Sequence, residues 1–213
     1  MRAREWHCGP FDFDLATPLV MGICNVTPDS FSDGGMHATA SEALEHAKKL
    51  IAAGADIIDV GGESTRPGAE EVPPEVEIAR VLPVVRELAS HGVAVSVDTR
   101  HASVADGACI VNDVSGFRSA DMREVAARGD AGLVVMHMRG TPKTMQEAPA
   151  YDDVVHEVEQ EMMRMVTRLT TEGVEPGRIC LDVGIGFGKN VIHNLALVQA
   201  TAHFAELGFP LMA

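Results

Sequence analysis

Six apolar runs of this 213-residue chain end on polar residues that can do chemistry. Asn25 follows "VMGIC", the stretch from Gly61 to Thr65 follows "ADIIDV", and Asp98 follows "VAVSV". Asn112 and Asp113 follow "CIV", His137 follows "GLVVM", and Asp182 follows "RICL". Carboxylates, amides and an imidazole are the groups that bind and orient a small polar ligand, provided that the fold brings them to one place. Their other common use is as helix caps and turn formers. That use explains six strand ends poorly, because a cap normally lies against the next helix, and Asn25 stands about fourteen residues short of the one expected after it.

The connections after three of these runs point the same way. "NVTPDSFSDGGMHA", "GGESTRPGAEEV" and "HMRGTPKTMQEAPAY" mix Gly, Pro, hydroxyls and charges, and each exceeds the median connection of about 4 to 6 residues. Long loops with glycine hinges on a catalytic rim suit a lid that closes over a reactive intermediate; the plainer reading is a surface loop that tolerates length. The glycines of "DVGIGFGK" fall at 184, 186 and 188, so the stretch departs from G-x-G-x-x-G. The chain has no Walker A loop, no H-E-x-x-H and no nucleophile elbow, and its nine histidines lack metal-ligand spacing. His46, His91, His101, His156, His193 and His203 read as solvated residues on or near helices. Met162, Met163 and Met165 on one helix read as core filler.

The elements that must position the strand ends alternate in period. "TASEALEHAKKLIAAG" puts Leu44, Ala47, Leu50 and Ile51 on one helical face, with Thr39 and Glu42 in capping-box spacing and Gly54 as the stop. "ADIIDVGG" follows, an apolar run of the kind that a parallel strand shows when both faces are covered. A helix from about Pro74 to His91 then leads into "VAVSVD", and the unit recurs through "CIVND", "GLVVMH", "RICLD" and "FPLM". Further helices are expected at Asp121–Arg128, Asp153–Thr170 and Val191–Leu207. With "LVMGIC" first, seven strands separated by helices select an α/β fold with a parallel sheet, and a (β/α)8 TIM barrel fits best. In such a barrel every strand's C-terminal end lies on one rim, so the polar residues converge on one mouth. The expectation is a single barrel domain over 1–213 that stops where an eighth unit should begin. One crossover, "HASVADGA" between Arg100 and Cys109, is shorter than the dozen or so residues that a parallel connection usually takes.

Composition excludes several function classes. With 31 acidic and 17 basic side chains the net charge is −14, which disfavours nucleic-acid binding; an anionic ligand must then be met locally by a metal or by backbone amides. The four cysteines have no metal-type spacing, and Cys24, Cys109 and Cys180 sit in apolar runs where a thiol behaves as a small hydrophobe. No run approaches the roughly 18 apolar residues of a membrane span, and the N-terminus lacks the apolar core of a signal peptide. The reading is a reduced, cytoplasmic protein with no membrane contact.

"MGICNVTPDSFSDGG", "ADIIDVGGESTRPGAEEV", "SVDTR", "IVNDVSG", "VVMHMRGTPKTMQ" and "DVGIGFGK" together resemble the dihydropteroate synthase family, in the same order and over nearly the whole chain. The resemblance implies a Mg2+-dependent (β/α)8 transferase of folate biosynthesis. It would join 4-aminobenzoate to (7,8-dihydropterin-6-yl)methyl diphosphate, giving 7,8-dihydropteroate and diphosphate, with sulfonamides as competitors. By similarity, Asn25 contributes to Mg2+, and Thr65, Asp98, Asn112, Met136 and Asp182 bind the pterin diphosphate. Asp33 and Phe31 would act from the first loop as a lid over a pterin-methyl cation, while Arg66, Pro67 and Phe187 wall the aminobenzoate pocket. A homodimer is expected.

The chain departs from the family pattern in three places. Val183 stands where the family has Pro, the crossover at 101–108 is short, and the C-terminal Ser-Arg-Lys and Arg-x-His segments are not among the 213 residues. Two alternatives therefore stay open: a non-catalytic or truncated pterin-binding homologue, and the pterin domain of a methyltetrahydrofolate-type methyltransferase, which gives no reason for "ESTRPG" or "TPKTMQ".

Overall fold

The first two elements are ones that the sequence reading did not anticipate. In the computed structural model, β1 (Glu5–Cys8) and β2 (Phe11–Asp14) pair as an antiparallel hairpin. Four-residue strands carry too little alternation to be recognised alone, and their stability comes from what Trp6 and Cys8 pack against. The described residues are 2–27, 35–64, 71–105 and 108–213, with the side chains of 35–39 left aside.

Beyond the hairpin the expected alternation holds. β3 (Met21–Asn25), β4 (Ile57–Gly61), β5 (Ala94–Asp98), β6 (Ile110–Asp113), β7 (Gly132–Met136), β8 (Ile179–Asp182) and β9 (Leu211–Met212) form one parallel sheet in chain order. The helices between them are α1 (Gly35–Ala52), α2 (Pro74–Ser90), α3 (Ala102–Ala105), α4 (Ala120–Arg128), α5 (Val154–Thr171), α6 (Val191–Gln199) and α7 (Thr201–Ala205). This is the seven-stranded part of a TIM-type barrel, with β3 and β9 at its two edges.

Alternation along the strands sorts side chains into two sets. Ile58, Val60, Val95 and Val97 face outward with Val81, Val84 and Leu88 of α2, and Leu133, Val135 and Leu181 face outward against α4 and α5. Inside, Ile57, Ala94, Ile110, Val134 and Cys180 form an apolar floor with Trp6 and Cys8 of the hairpin. The hairpin plugs the N-terminal end of the barrel: Trp6 Nε1 donates to Arg178 O at 2.8 Å, and a Cβ on Gly132 would meet Cys8 Sγ at 2.2 Å. Truncating a buried Trp typically costs about 3 to 5 kcal/mol. Gly22 and Cys24 face α1, so Ile23 faces the interior from an edge strand and is 62% exposed.

Three expectations about local structure are corrected. Helix α1 begins at Gly35, so Thr39 lies inside it and the Thr39/Glu42 capping box does not start it; Met and Ala propagate a helix well enough to extend it N-terminally. The helix expected over Val191–Leu207 breaks at Ala200, where Thr201 Oγ1 donates back to Val198 O and competes with the ladder. The short crossover holds only α3, one turn long, and beside it lies a cavity of about 180 Å³ lined by Ala105, Ala108, Val111, Val125, Ala126 and Leu133. The methionines behave as expected: Met162 is buried in the core, with Met163 and Met165 packed against it.

Candidate active site

Register places Asn25, Gly61, Asp98 and Asn112 at one level and, because Asn112 pairs with Val134, sets Met136 and Asp182 two residues further along their strands. Asn25 pairs with Gly61, Gly61 with Asp98, Asp98 with Asn112, and Met136 with Asp182. Parity puts Asn25, Asp98, Asn112, Met136 and Asp182 on the inward set, at the rim opposite the hairpin. Gly61 leaves room between two of them: a Cβ there would lie 3.2 Å from Asn25 Oδ1 and 3.6 Å from Asp98 Oδ2. A larger residue at 61 would push these two side chains apart.

Below this level the barrel carries a polar layer that the sequence reading passed over. Asp59, in the middle of "IIDVG", is buried and accepts from Asn112 Nδ2 at 3.2 Å, which leaves the Asn112 amide oxygen for other partners. Ser96 Oγ lies beside Asp59 without closing a bond of normal geometry, and Asp59 Oδ1 and Asp98 Oδ1 are buried with no partner among the described residues. Burial raises the Asp59 carboxyl above its usual range, opposed by Ser96 and Asn112. Asp98 is raised well above it, first by burial and then by the neighbouring charge of Asp59. A mid-strand Asp in an otherwise apolar run was the available signal. A barrel interior with orphaned carboxylate oxygens is set to receive donors.

On the far side of the mouth, Asp182 accepts from Gly184 N at 2.7 Å, and burial raises its carboxyl against the opposing effects of that bond and of Lys189. Met136 packs with Val114, Met138 and Met145, and Phe187 leans on the same cluster, so two predicted site residues share one apolar wall beside Asp182. The turn between Asp182 and Phe187 fits only glycine at 184, where φ is +67° and a Cβ would meet His137 O at 2.0 Å.

Two strand-end residues do not reach the mouth. Asp113 faces outward; its carboxylate accepts from Ser115 N at 2.7 Å and Phe117 N at 2.9 Å, and so holds Phe117 at φ +57° while its ring is buried. His137 also faces outward, donating from Nε2 to Glu161 at 2.9 Å and accepting at Nδ1 from Lys189 at 3.0 Å. Burial first, then Lys189, pushes its pKa down to about 4, so the ring is neutral. His101 is no solvated bystander either: it is 24% exposed and bonds Glu77 of α2 at 2.6 Å.

Asp33, Phe31, Thr65, Arg66 and Pro67 lie outside the described residues. The base of the second loop is described, and it is clamped. Arg100 grips Glu63 with Nε at 3.0 Å and Nη2 at 2.9 Å, and Glu63 also accepts from Val72 N at 3.0 Å, joining both sides of 65–70. Burial works to raise the Glu63 carboxyl, but Arg100 and the Val72 amide hold it below its usual range.

Among the described residues no three His, Cys, Asp or Glu side chains group as metal ligands. Asn25 offers one amide oxygen at the mouth, and a hard cation such as Mg2+ needs little more from the protein when waters and phosphates complete its shell. All four cysteines are free thiols, and burial pushes Cys24 and Cys109 up to about 11, which disfavours the reactive thiolate. No described helix is long and apolar enough to cross a membrane.

Comparison with known proteins agrees with this architecture. Residues 21–213 match the pterin binding enzyme family. The dihydropteroate synthase of Neisseria meningitidis serogroup B is 46% identical over 100% of this chain and 78% of its own length. The Yersinia pestis dihydropteroate synthase, solved as a sulfonamide drug complex, superposes with a TM-score of 0.90 at 41% identity, covering 97% of this chain and 78% of that one. The Burkholderia cenocepacia dihydropteroate synthase, solved with 7,8-dihydropteroate, gives 0.84 at 41% identity, covering 94% and 71%. A parallel barrel in chain order, a rim of inward Asn and Asp side chains, and identity above 40% along nearly its whole length make this chain a member of the dihydropteroate synthase family of pterin-binding enzymes.

Proposed function

We propose that the protein condenses 4-aminobenzoate with (7,8-dihydropterin-6-yl)methyl diphosphate to give 7,8-dihydropteroate and diphosphate. The observation that carries this reading is the in-phase register that aligns Asn25, Gly61, Asp98 and Asn112 on the inward face, with the Met136–Asp182 pair on the same face one inward position further along. It is supported by the two solved relatives, one of which binds the product of this reaction.

The pterin edge presents adjacent N–H donors, and the Asp182 carboxylate accepts two of them in charge-assisted bonds. Asn112, with its nitrogen held by Asp59, turns its amide oxygen to the ring, and Asp98 brings an oxygen that has no partner among the described residues. Met136 packs against the ring face, and Phe187 on the same wall borders the aminobenzoate. Arg66 and Pro67 would complete that pocket and Thr65 would contact the pterin diphosphate, on the loop that the Glu63–Arg100 clamp anchors. Mg2+, held through Asn25 and the diphosphate, would supply the positive charge that lets the leaving group depart from a chain of net charge −14. Asp33 would then stabilise the pterin-methyl cation while Phe31 excludes water, until the aniline nitrogen attacks. The expected homodimer is supported by the exposed apolar stripe of α6, formed by Val191, Ile192, Leu195 and Val198.

A coupled assay for dihydropteroate formation on the intact gene product, with and without Mg2+, tests the proposal. Turnover that depends on both substrates and on the metal is the expected outcome. Pterin binding without turnover favours the non-catalytic homologue.

A further inference from the structure

Lys189 closes the "DVGIGFGK" turn, and its sequence position suggests nothing beyond a surface lysine; in the fold it is 3% exposed. Its ammonium donates to four acceptors: His137 Nδ1 at 3.0 Å, His137 O at 3.2 Å, Gly184 O at 2.9 Å and Phe187 O at 2.9 Å. Three N–H groups serve four acceptors, so two acceptors share one hydrogen. None of the four is an anion, because His137 is neutral. An ammonium buried without a direct ion pair is costly unless something nearby uses its charge.

The geometry indicates what uses it. Gly184 takes Lys189 on its carbonyl and gives its own N–H to Asp182 Oδ1 at 2.7 Å, so one residue links the buried cation to the carboxylate at the mouth. Further contacts hold the groups that surround the cation. His137 Nε2 bonds Glu161, Arg139 Nε bonds Glu161 at 2.9 Å, Arg139 lies 4.1 Å from the Tyr151 ring centre, and Tyr151 donates to Gly188 O at 3.0 Å. The charged and titratable groups around Lys189 are thus Asp182 of β8, His137 after β7, Arg139 in the following loop and Glu161 of α5. Burial lowers Lys189 to about 8, while Asp182 and Glu161 work to raise it.

We propose that Lys189 is a positioning residue for pterin recognition: from behind the 184–188 turn it keeps the Asp182 carboxylate ionised and aimed into the mouth, acting through the Gly184 peptide and its own charge. This rests on the reading that Asp182 receives the pterin N–H groups.

The test is a Lys189→Met variant of the full-length protein, with affinity for 6-hydroxymethylpterin measured by titration calorimetry from about pH 5 to pH 8. Removing the cation makes Asp182 easier to protonate, so the acid limb of the affinity profile is expected to move up by about one pH unit or more, a roughly tenfold loss on that limb. Lys189→Arg is expected to return the limb toward its wild-type position, even if its larger fork lowers the melting temperature. Lys189→Gln, which keeps donors for the turn and loses the charge, carries the same test if the Met variant fails to fold. An acid limb that stays in place in a folded neutral variant, with affinity lowered equally at every pH, would make Lys189 a mere staple and overturn the proposal. Failure of the underlying reading shows separately, as wild-type pterin affinity in Asp182→Asn with Lys189 intact.

Discussion

On the proposed function, Asp182 is placed for its ligand at the expense of the fold, and Asp182→Asn measures both effects. Asn has the same size, and its Oδ1 can keep the bond from Gly184 N, now 2.7 Å. What changes is the second position, where a carboxylate oxygen becomes an NH2 group and faces a pterin donor with another donor. A charge-assisted hydrogen bond contributes about 1.5 to 3 kcal/mol, so affinity for a pterin fragment should fall at least about tenfold. Stability should change less. Burial raises the Asp182 carboxyl in the fold above its unfolded value. A raised acid contributes stability below its unfolded pKa and loses it as pH rises through the folded pKa, so at neutral pH the buried anion is a cost that Asn removes, partly offset by the support that the Lys189 ammonium then loses. Calorimetric titration beside a urea unfolding curve should therefore show a loss in pterin binding that is larger than any loss in stability. If instead Asp182 only shapes the "GIGFG" turn, binding would persist while the fold weakened. Near-wild-type affinity in a well-folded variant would refute the ring-recognition role.

Gly184→Ala should destabilise the fold by at least about 3 kcal/mol in urea unfolding, because its backbone is left-handed and the new Cβ would meet a backbone carbonyl at 2.0 Å. Asp98, raised by burial and then by Asp59, also weakens the fold as pH rises through its folded pKa, so Asp98→Asn should gain stability over wild type toward neutral pH and lose that advantage in acid. Unfolding midpoints at several pH values check the trend, and an advantage that grows in acid would contradict it. Asp33→Ala should leave the melting temperature unchanged and cut turnover at least about tenfold, equivalent to roughly 1.4 kcal/mol of barrier. Full turnover in that variant removes Asp33 from the mechanism.

Much of the barrel was legible because its signals are local. Seven apolar runs became seven strands in chain order, and Asn25, Asp98, Asn112, Met136 and Asp182 fell on one inward face because each lies at or next to its strand's end in the same phase. Which of two neighbouring polar residues turns inward was not legible in the same way: Asn112 enters the mouth and Asp113 leaves it, since a one-residue step reverses the face. His137 was assigned to the mouth for the same reason, and only pairing with β8 sets its parity. Asp59 was hidden in an apolar run, where its role depends on Asn112, 53 residues later.

By itself the sequence determined the fold class, the strand order and the identity of the groups available at the rim, because hydrophobic period and strand length are properties of a few consecutive residues. Tertiary structure decided what surrounds each group. Trp6 became a barrel plug only by meeting Arg178 O across 172 residues, and Lys189 became a buried cation only because His137, 52 residues before it, supplied two acceptors. Burial and hydrogen-bond partnership are relations between distant segments, and the charge state of Asp182 follows from those relations rather than from the residues beside it in the chain.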